Sequence, residues 1–220
     1  MLKISEQIDI LNKLEVFSDY QARDSEQLII INNFSWQDYE KILLNIRDNF
    51  PFRLKYSNGV FQLMSPSRRH EIDKKMLGML LETYFLARNI DFYPLGSTTF
   101  RKENVAKGIE PDQCYCFDSE KDFPDLAIEI IVTSGGIDSL PIYQALEVAE
   151  VWFWEHSQFS LYSLQNNSYQ KVNCSLLLPD LDFKLLTDCL LSEEKPIDKL
   201  LAFKNRIELM NRDKHGDFTT

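Results

Sequence analysis

The chain has 220 residues, with 34 acidic side chains against 24 basic and a formal net charge of −10. Hydrophobic content of 44%, including 15 Phe, is enough for a sizeable core, and 26% charged residues is ordinary for a globular chain. These values exclude global disorder, 7 Gly and 8 Pro exclude a collagen-like or low-complexity chain, and the acidic total excludes a uniformly basic nucleic-acid coat.

Leu2, Ile4, Ile8, Leu11 and Leu14 have helical spacing, so residues 1–24 read as an N-terminal helical extension. Residues 27–33 read as a short strand. Ser35 then looks like an N-cap for a helix through Trp36, Tyr39, Ile42, Leu43 and Ile46. Asn58-Gly59 between apolar runs at 53–56 and 60–64 predicts a hairpin. Ser65-Pro66-Ser67 breaks the chain. The longest helix follows over 68–89, with Ile72, Met76, Met79, Leu80, Thr83 and Ala87 proposed as its core face. Strands are predicted at 92–101, 112–117 and 125–132. Gly135-Gly136 leads to a helix around 138–149, with Pro141 in its first turn. A strand at 151–154 and a pair at 159–164 and 169–172 around Asn166-Asn167 come next. A last amphipathic helix spans 196–212, with a frayed tail after it. This order predicts one α/β (α+β) domain over 25–190, a mixed β-sheet flanked by helices. Residues 191–220 would be its C-terminal helix and tail.

Charge is distributed unevenly. Residues 51–107 carry 10 basic and 5 acidic side chains; residues 108–155 carry 11 acidic and only Lys121. Glu6 and Asp9 interrupt the start where a signal peptide needs an apolar run. No apolar stretch approaches the roughly 20 residues of a membrane span. Cys114, Cys116, Cys174 and Cys189 with His70, His156 and His215 show no zinc-site spacing. Free buried thiols in a reducing cytoplasm are the expectation.

Glu129 is the sharpest local anomaly, the one charge in an apolar run at 126–132. Such a run suits a strand buried on both faces, where a carboxylate must be neutralised, paired or bound to a metal. A salt bridge to an Arg, or a sheet-end position facing water, would also account for it. Asp112 opens another strand after Glu110-Pro111, on one face with Cys114 and Cys116. Two neighbouring strands each presenting a carboxylate can hold a hard divalent cation. A nearby Lys would orient the attacking water and balance transition-state charge.

Gly108–Asp112 (GIEPD), Phe123–Ser134 (FPDLAIEIIVTS), Gly135–Leu140 (GGIDSL), Tyr143 and Val148–Trp152 (VAEVW) resemble the putative restriction endonuclease family of the Uma type, within the PD-(D/E)xK nuclease superfamily. Ser65-Pro66-Ser67 with His70-Glu71, Gly96–Thr99 and Leu178–Leu181 support the resemblance, which spans residues 25–190. It implies a restriction-endonuclease-like core and hydrolysis of DNA phosphodiesters with Mg2+ or Mn2+. It implies Asp112 and Glu129 as catalytic metal ligands, with Glu71 adding a metal contact. The family Lys position is occupied by Ser139, and Ile131 supplies no Lys either. Arg101, Lys102, Lys107, Lys121 and Gln144 are nearby substitutes in sequence, none at a matching position. A catalytically silent relative, kept as a nucleic-acid-binding or protein-interaction module, is therefore the alternative.

Arg68, Arg69, Lys74 and Lys75, with Arg53 and Lys55 upstream and Arg101 and Lys102 downstream, suit DNA phosphates. A solvated helix face with a Glu71–Lys75 pair explains the helical ones equally well. Trp152 and Trp154 read as packing residues. A homodimer is expected, since two strands need two sites and two-fold pairs are the commonest oligomers. No membrane partner is expected.

Overall fold

The computed structural model describes residues 26–46, 52–132 and 138–216, the last five by backbone alone. The predicted N-terminal helix, the Gly135-Gly136 loop and the final four residues lie outside them.

The first half of the chain builds its own antiparallel sheet. Strands β1 (Gln27–Ile31), β2 (Arg53–Ser57), β3 (Val60–Ser65), β5 (Phe100–Lys102) and β6 (Lys107–Ile109) lie in the order β1-β3-β2-β6-β5. The β2–β3 hairpin turns at Asn58-Gly59, with φ of 47° and 85°, the left-handed pair that a tight two-residue hairpin requires. Helix α1 (Trp36–Asn45) starts at Ser35, whose hydroxyl accepts from Asp38 N at 3.1 Å. It covers one face, packing Tyr39 against Leu54, Tyr56 and Phe61.

The second sheet has the order β11-β10-β9-β8-β7-β4, from β4 (Phe92–Pro94), β7 (Gln113–Phe117), β8 (Leu126–Ile131), β9 (Glu150–Glu155), β10 (Gln158–Gln165) and β11 (Ser168–Val172). Only β8 and β9 pair in parallel, so this sheet is the mixed one. The mixed sheet that the sequence reading expected is this second one, and the first half of the chain adds an antiparallel sheet to it. The predicted strand 92–101 splits accordingly, β4 joining one sheet and β5 the other.

The central strands β7, β8 and β9 are buried on both faces, which explains their unbroken apolar runs. Tyr115, Leu126, Ile128, Ile130, Trp152 and Trp154 face one cluster. Cys114, Ala127 and Val151, one residue out of phase, face another beneath helix α3 (Leu140–Ala145). The two tryptophans are thus core residues, as the sequence suggested. Helix α3 is shorter than predicted, because Glu147 takes a left-handed φ of 64° and ends it.

Helix α2 (Arg68–Arg88) packs on the first cluster with α4 (Phe183–Leu191) and α5 (Pro196–Gly216). Ser67 caps its start by accepting from His70 N at 3.1 Å, and Asn89, left-handed at φ 54°, ends it. Its core face is rotated from the predicted one. Leu77, Leu81, Tyr84 and Phe85 are buried, whereas Ile72 and Met79 are exposed. The reason is that two polar residues, His70 and Lys74, share the buried face, which apolar periodicity cannot register. Gly78 lets the helix approach β7: a Cβ there would lie 2.8 Å from Gln113 Nε2. Helix α4, capped by Asp182, was not predicted. Helix α5 buries Phe203 and Ile207 in the same cluster and continues four residues past Arg212, where fraying was expected.

Candidate active site

The site forms where β2 faces the second sheet. Side chains alternate along a strand, so Leu54 and Tyr56 enter the first core while Arg53 and Lys55 point the other way. Their side chains are only 20% and 13% exposed. Each meets a buried carboxylate.

Asp112 lies immediately before β7 and is 1% exposed. Its Oδ2 accepts from the Ile130 backbone N–H at 2.8 Å and lies 3.1 Å from His70 Nε2 on α2. Both bonds fix the carboxylate between two elements. Its Oδ1 is buried with no hydrogen-bond partner. Arg53 Nε, likewise without one, stands 3.9 Å away.

Glu129, at mid-strand in β8, is 4% exposed. Oε1 accepts from Tyr143 Oη at 2.7 Å and lies 3.3 Å from Lys55 Nζ. Oε2 makes no bond among the described residues. Burial pushes the Glu129 carboxyl above its ordinary range and the Asp112 charge adds to this, while Lys55 and Tyr143 oppose it. The partner is therefore a Lys, neither the Arg nor the water-facing position that the sequence allowed.

Ser139, directly before α3, is 5% exposed and makes no side-chain cap bond. Its hydroxyl instead accepts from Lys55 Nζ at 2.8 Å. Lys55 thus bridges Ser139 and Glu129.

Glu71 Oε1 lies 3.3 Å from Lys74 Nζ, 3.5 Å from an Arg53 guanidinium nitrogen and 3.7 Å from His70 Nδ1. His70 and these cations hold its carboxyl at about 2, against the opposing effect of burial. Its helical partner is Lys74, not the predicted Lys75. Burial would lower the His70 pKa, but Asp112 and Glu71 outweigh it and raise it to about 9. Among the described residues, no three His, Cys, Asp or Glu side chains gather as a metal-holding group. The structure surrounds Glu71 with cations rather than joining it to Asp112 and Glu129 in such a set.

The oxygens that could take a cation are Asp112 Oδ1 and Glu129 Oε2. Each carboxylate commits one oxygen to the protein and keeps the other. Mg2+ needs only one or two carboxylates beside water and phosphate, so this donor set fits such an ion.

The other candidates divide. Arg68, Lys75 and Arg101 are exposed. Arg69 is exposed and paired with Asp73 at 2.9 Å. Lys102 is paired with Glu147 at 2.9 Å. Lys74, 5% exposed and paired with Glu71 at 3.3 Å, belongs to the wall of the site.

Sequence reasoning placed Arg53 and Lys55 only among the basic residues suited to DNA phosphates, and His70 and Tyr143 only within the resemblance, and gave none of them a contact with the two carboxylates. The alternation Arg-Leu-Lys-Tyr in β2 was the available signal. Glu110 was also missed: it accepts from Leu54 N at 3.2 Å and Thr99 Oγ1 at 2.7 Å, tying the Pro-Asp segment to β2.

A family model described as "Putative restriction endonuclease" (Uma2) matches residues 36–192. The chain belongs to this family. The Uma2 match includes every site residue above and all of both sheets except β1. It carries the restriction-endonuclease-like fold with it, and the two sheets and five helices are consistent with that fold. No curated protein matches the chain. No helix among the described residues is long and apolar enough to cross a membrane.

Proposed function

We propose that this Uma2 protein is a metal-dependent DNA endonuclease acting at Asp112 and Glu129. One observation carries the reading: the buried carboxylates of Asp112 and Glu129 stand on adjoining strands, each with one oxygen held in protein bonds, while Asp112 Oδ1 is buried without a hydrogen bond and faces only Arg53 Nε at 3.9 Å. A purely structural Asp112 would be expected to have that oxygen hydrogen-bonded, because an unmade bond in a buried site is costly.

Asp112 Oδ1 and Glu129 Oε2 would hold Mg2+ or Mn2+. Bound there, the ion would polarise the phosphate and lower the pKa of a coordinated water. The chain's own residues keep the two carboxylates oriented. Ile130 N–H and His70 fix Asp112, and Tyr143 fixes Glu129. Arg53 lies beside Asp112 Oδ1, where its charge suits a scissile phosphate. Glu71 holds Arg53 and Lys74 in place behind the site. Arg68, Lys75 and Arg101 are free to meet flanking phosphates. Cutting both strands of a duplex calls for two sites, so a two-fold pair of chains is the working assembly in this reading. All four cysteines are free, which supports a reducing cytoplasmic setting.

The test is thermal unfolding with and without Mg2+ or Mn2+, beside cleavage of plasmid DNA. Metal at a hundredfold its Kd should stabilise wild type by about 2.7 kcal/mol. Asp112→Ala should remove both this shift and cleavage. No metal-linked shift in wild type would sink the reading. Ser139 in the family Lys position favours a second reading, a silent nucleic-acid-binding or protein-interaction module. It expects no cleavage with any divalent ion.

A further inference from the structure

The residue at 139 is short and uncharged, yet the space around it is not without a cation. Lys55 reaches it from another sheet, 84 residues away in sequence, and donates to its hydroxyl at 2.8 Å. The same ammonium lies 3.3 Å from Glu129 Oε1. It therefore sits where an ammonium extending from position 139 toward Glu129 would come. Ser139 could not make room for this if it were a Lys, since two ammonium groups would repel at that distance. The small residue and the inserted Lys are two halves of one arrangement.

We infer that Lys55 is the catalytic cation of this site, supplied by β2 in place of a Lys at position 139, with Ser139 as its positioning residue. This rests on the nuclease reading above. The ammonium needs no change of protonation for the role. With two of its three N–H groups turned to Ser139 and Glu129, it donates the third to a non-bridging phosphate oxygen beside the attacking water. The water oxygen bonds to phosphorus, and the P–O bond to the leaving sugar oxygen breaks with its electron pair. One water proton ends on the leaving oxygen. The other stays on the new phosphate group until it ionises to solvent. Lys55 steadies the negative charge that grows on the phosphate oxygens between these events. A donor fixed before the reaction starts is worth about 10²–10³ in rate.

Three variants test it: Lys55→Met, Ser139→Lys and the double Lys55→Met/Ser139→Lys. Each is assayed for plasmid cleavage with Mg2+ and for the Mg2+-induced rise in Tm. Lys55→Met should lose about 10²–10³ in cleavage rate while keeping the Mg2+ shift, because Glu129 then has no competing cation. A merely structural Lys55 would lose the shift together with activity. The double variant should recover at least ~10-fold over Lys55→Met, approaching the donor's full contribution. It also answers the objection that Lys55→Met simply misfolds, since the second change restores the lost charge. Cleavage by Lys55→Met at the wild-type rate overturns the inference, and so does a double variant that stays silent. A silent wild type overturns it in every case. Ser139→Lys then separates the two levels: activity in that variant keeps the nuclease site and discards Lys55. Silence there, with no Mg2+ shift in wild type, discards the nuclease reading as well.

Discussion

His70 is fully buried, and carboxylates face both of its ring nitrogens. With a folded pKa near 9 against an ordinary 6.5, its stabilising contribution is complete below pH 6.5 and is lost as pH rises through 9. The gap caps that contribution at about 3 kcal/mol. Glu71 runs the other way. Its pKa near 2 means a contribution present above about 4.5 and lost as pH falls through 2, lessened because this side chain is 39% exposed. Metal-free protein should therefore lose Tm between pH 7 and 9.5, and His70→Gln should flatten that fall. An unchanged slope in the variant would assign the fall to other groups. At this scale the sequence was informative about the acids and nearly silent about their partners. Glu129 stood out because a carboxylate in an apolar strand is expensive wherever it occurs, and Asp112 because it opens the neighbouring strand after Glu110-Pro111. Lys55 did not stand out, because a Lys in a polar-apolar alternation is what any half-solvated strand contains.

Among the elements, β2 and β9 show opposite uses of charge. In β2 the half-buried charges serve the site. In β9 the buried charge serves the fold. Glu150 is 1% exposed, and it accepts from Trp152 Nε1 at 2.9 Å, Ser175 Oγ at 2.7 Å and the backbone N–H groups of Leu176 and Leu177 at 2.5 and 3.1 Å. It ties the segment before α4 to the start of β9. Glu150→Ala would leave these donors buried and unpaired, so it should cost about 3–5 kcal/mol. Cleavage per folded molecule should be unchanged. A variant that folds well but no longer cuts would move Glu150 into the site. The hairpins at Asn58-Gly59 and Asn166-Asn167 were legible because both turns need left-handed residues, which they have. The turn at His156-Ser157, with φ of 49° and 62°, carries no such signature in sequence. Its geometry is imposed by the β9–β10 pairing rather than by the turn residues. Helix α4 was hidden for a related reason: nine residues capped by Asp182 are too short for periodicity to separate from the adjoining loop.

For the whole molecule, the uneven charge along the chain becomes a contact in space. The basic stretch supplies Arg53 and Lys55 on one sheet, and the acidic stretch supplies Asp112 and Glu129 at the edge of and within the other. A net charge of −10 is thus compatible with a site that holds cations, because opposite charges gather there while acids such as Asp118, Glu120 and Asp122 remain at the surface. What the linear charge map could not give was the fold that brings its two halves together. That arrangement also has a temporal side. The bonds that complete the site join residues 84 apart for Lys55 with Ser139, and 42 apart for His70 with Asp112. Contacts so distant in sequence close late, after local hairpins and helices have formed. During refolding from denaturant, far-ultraviolet ellipticity should recover first and cleavage activity last, with a lag between them. On the nuclease reading, the proposed centre would be a clock for the final docking of the two sheets, and a nascent chain would remain harmless to DNA until that docking is done.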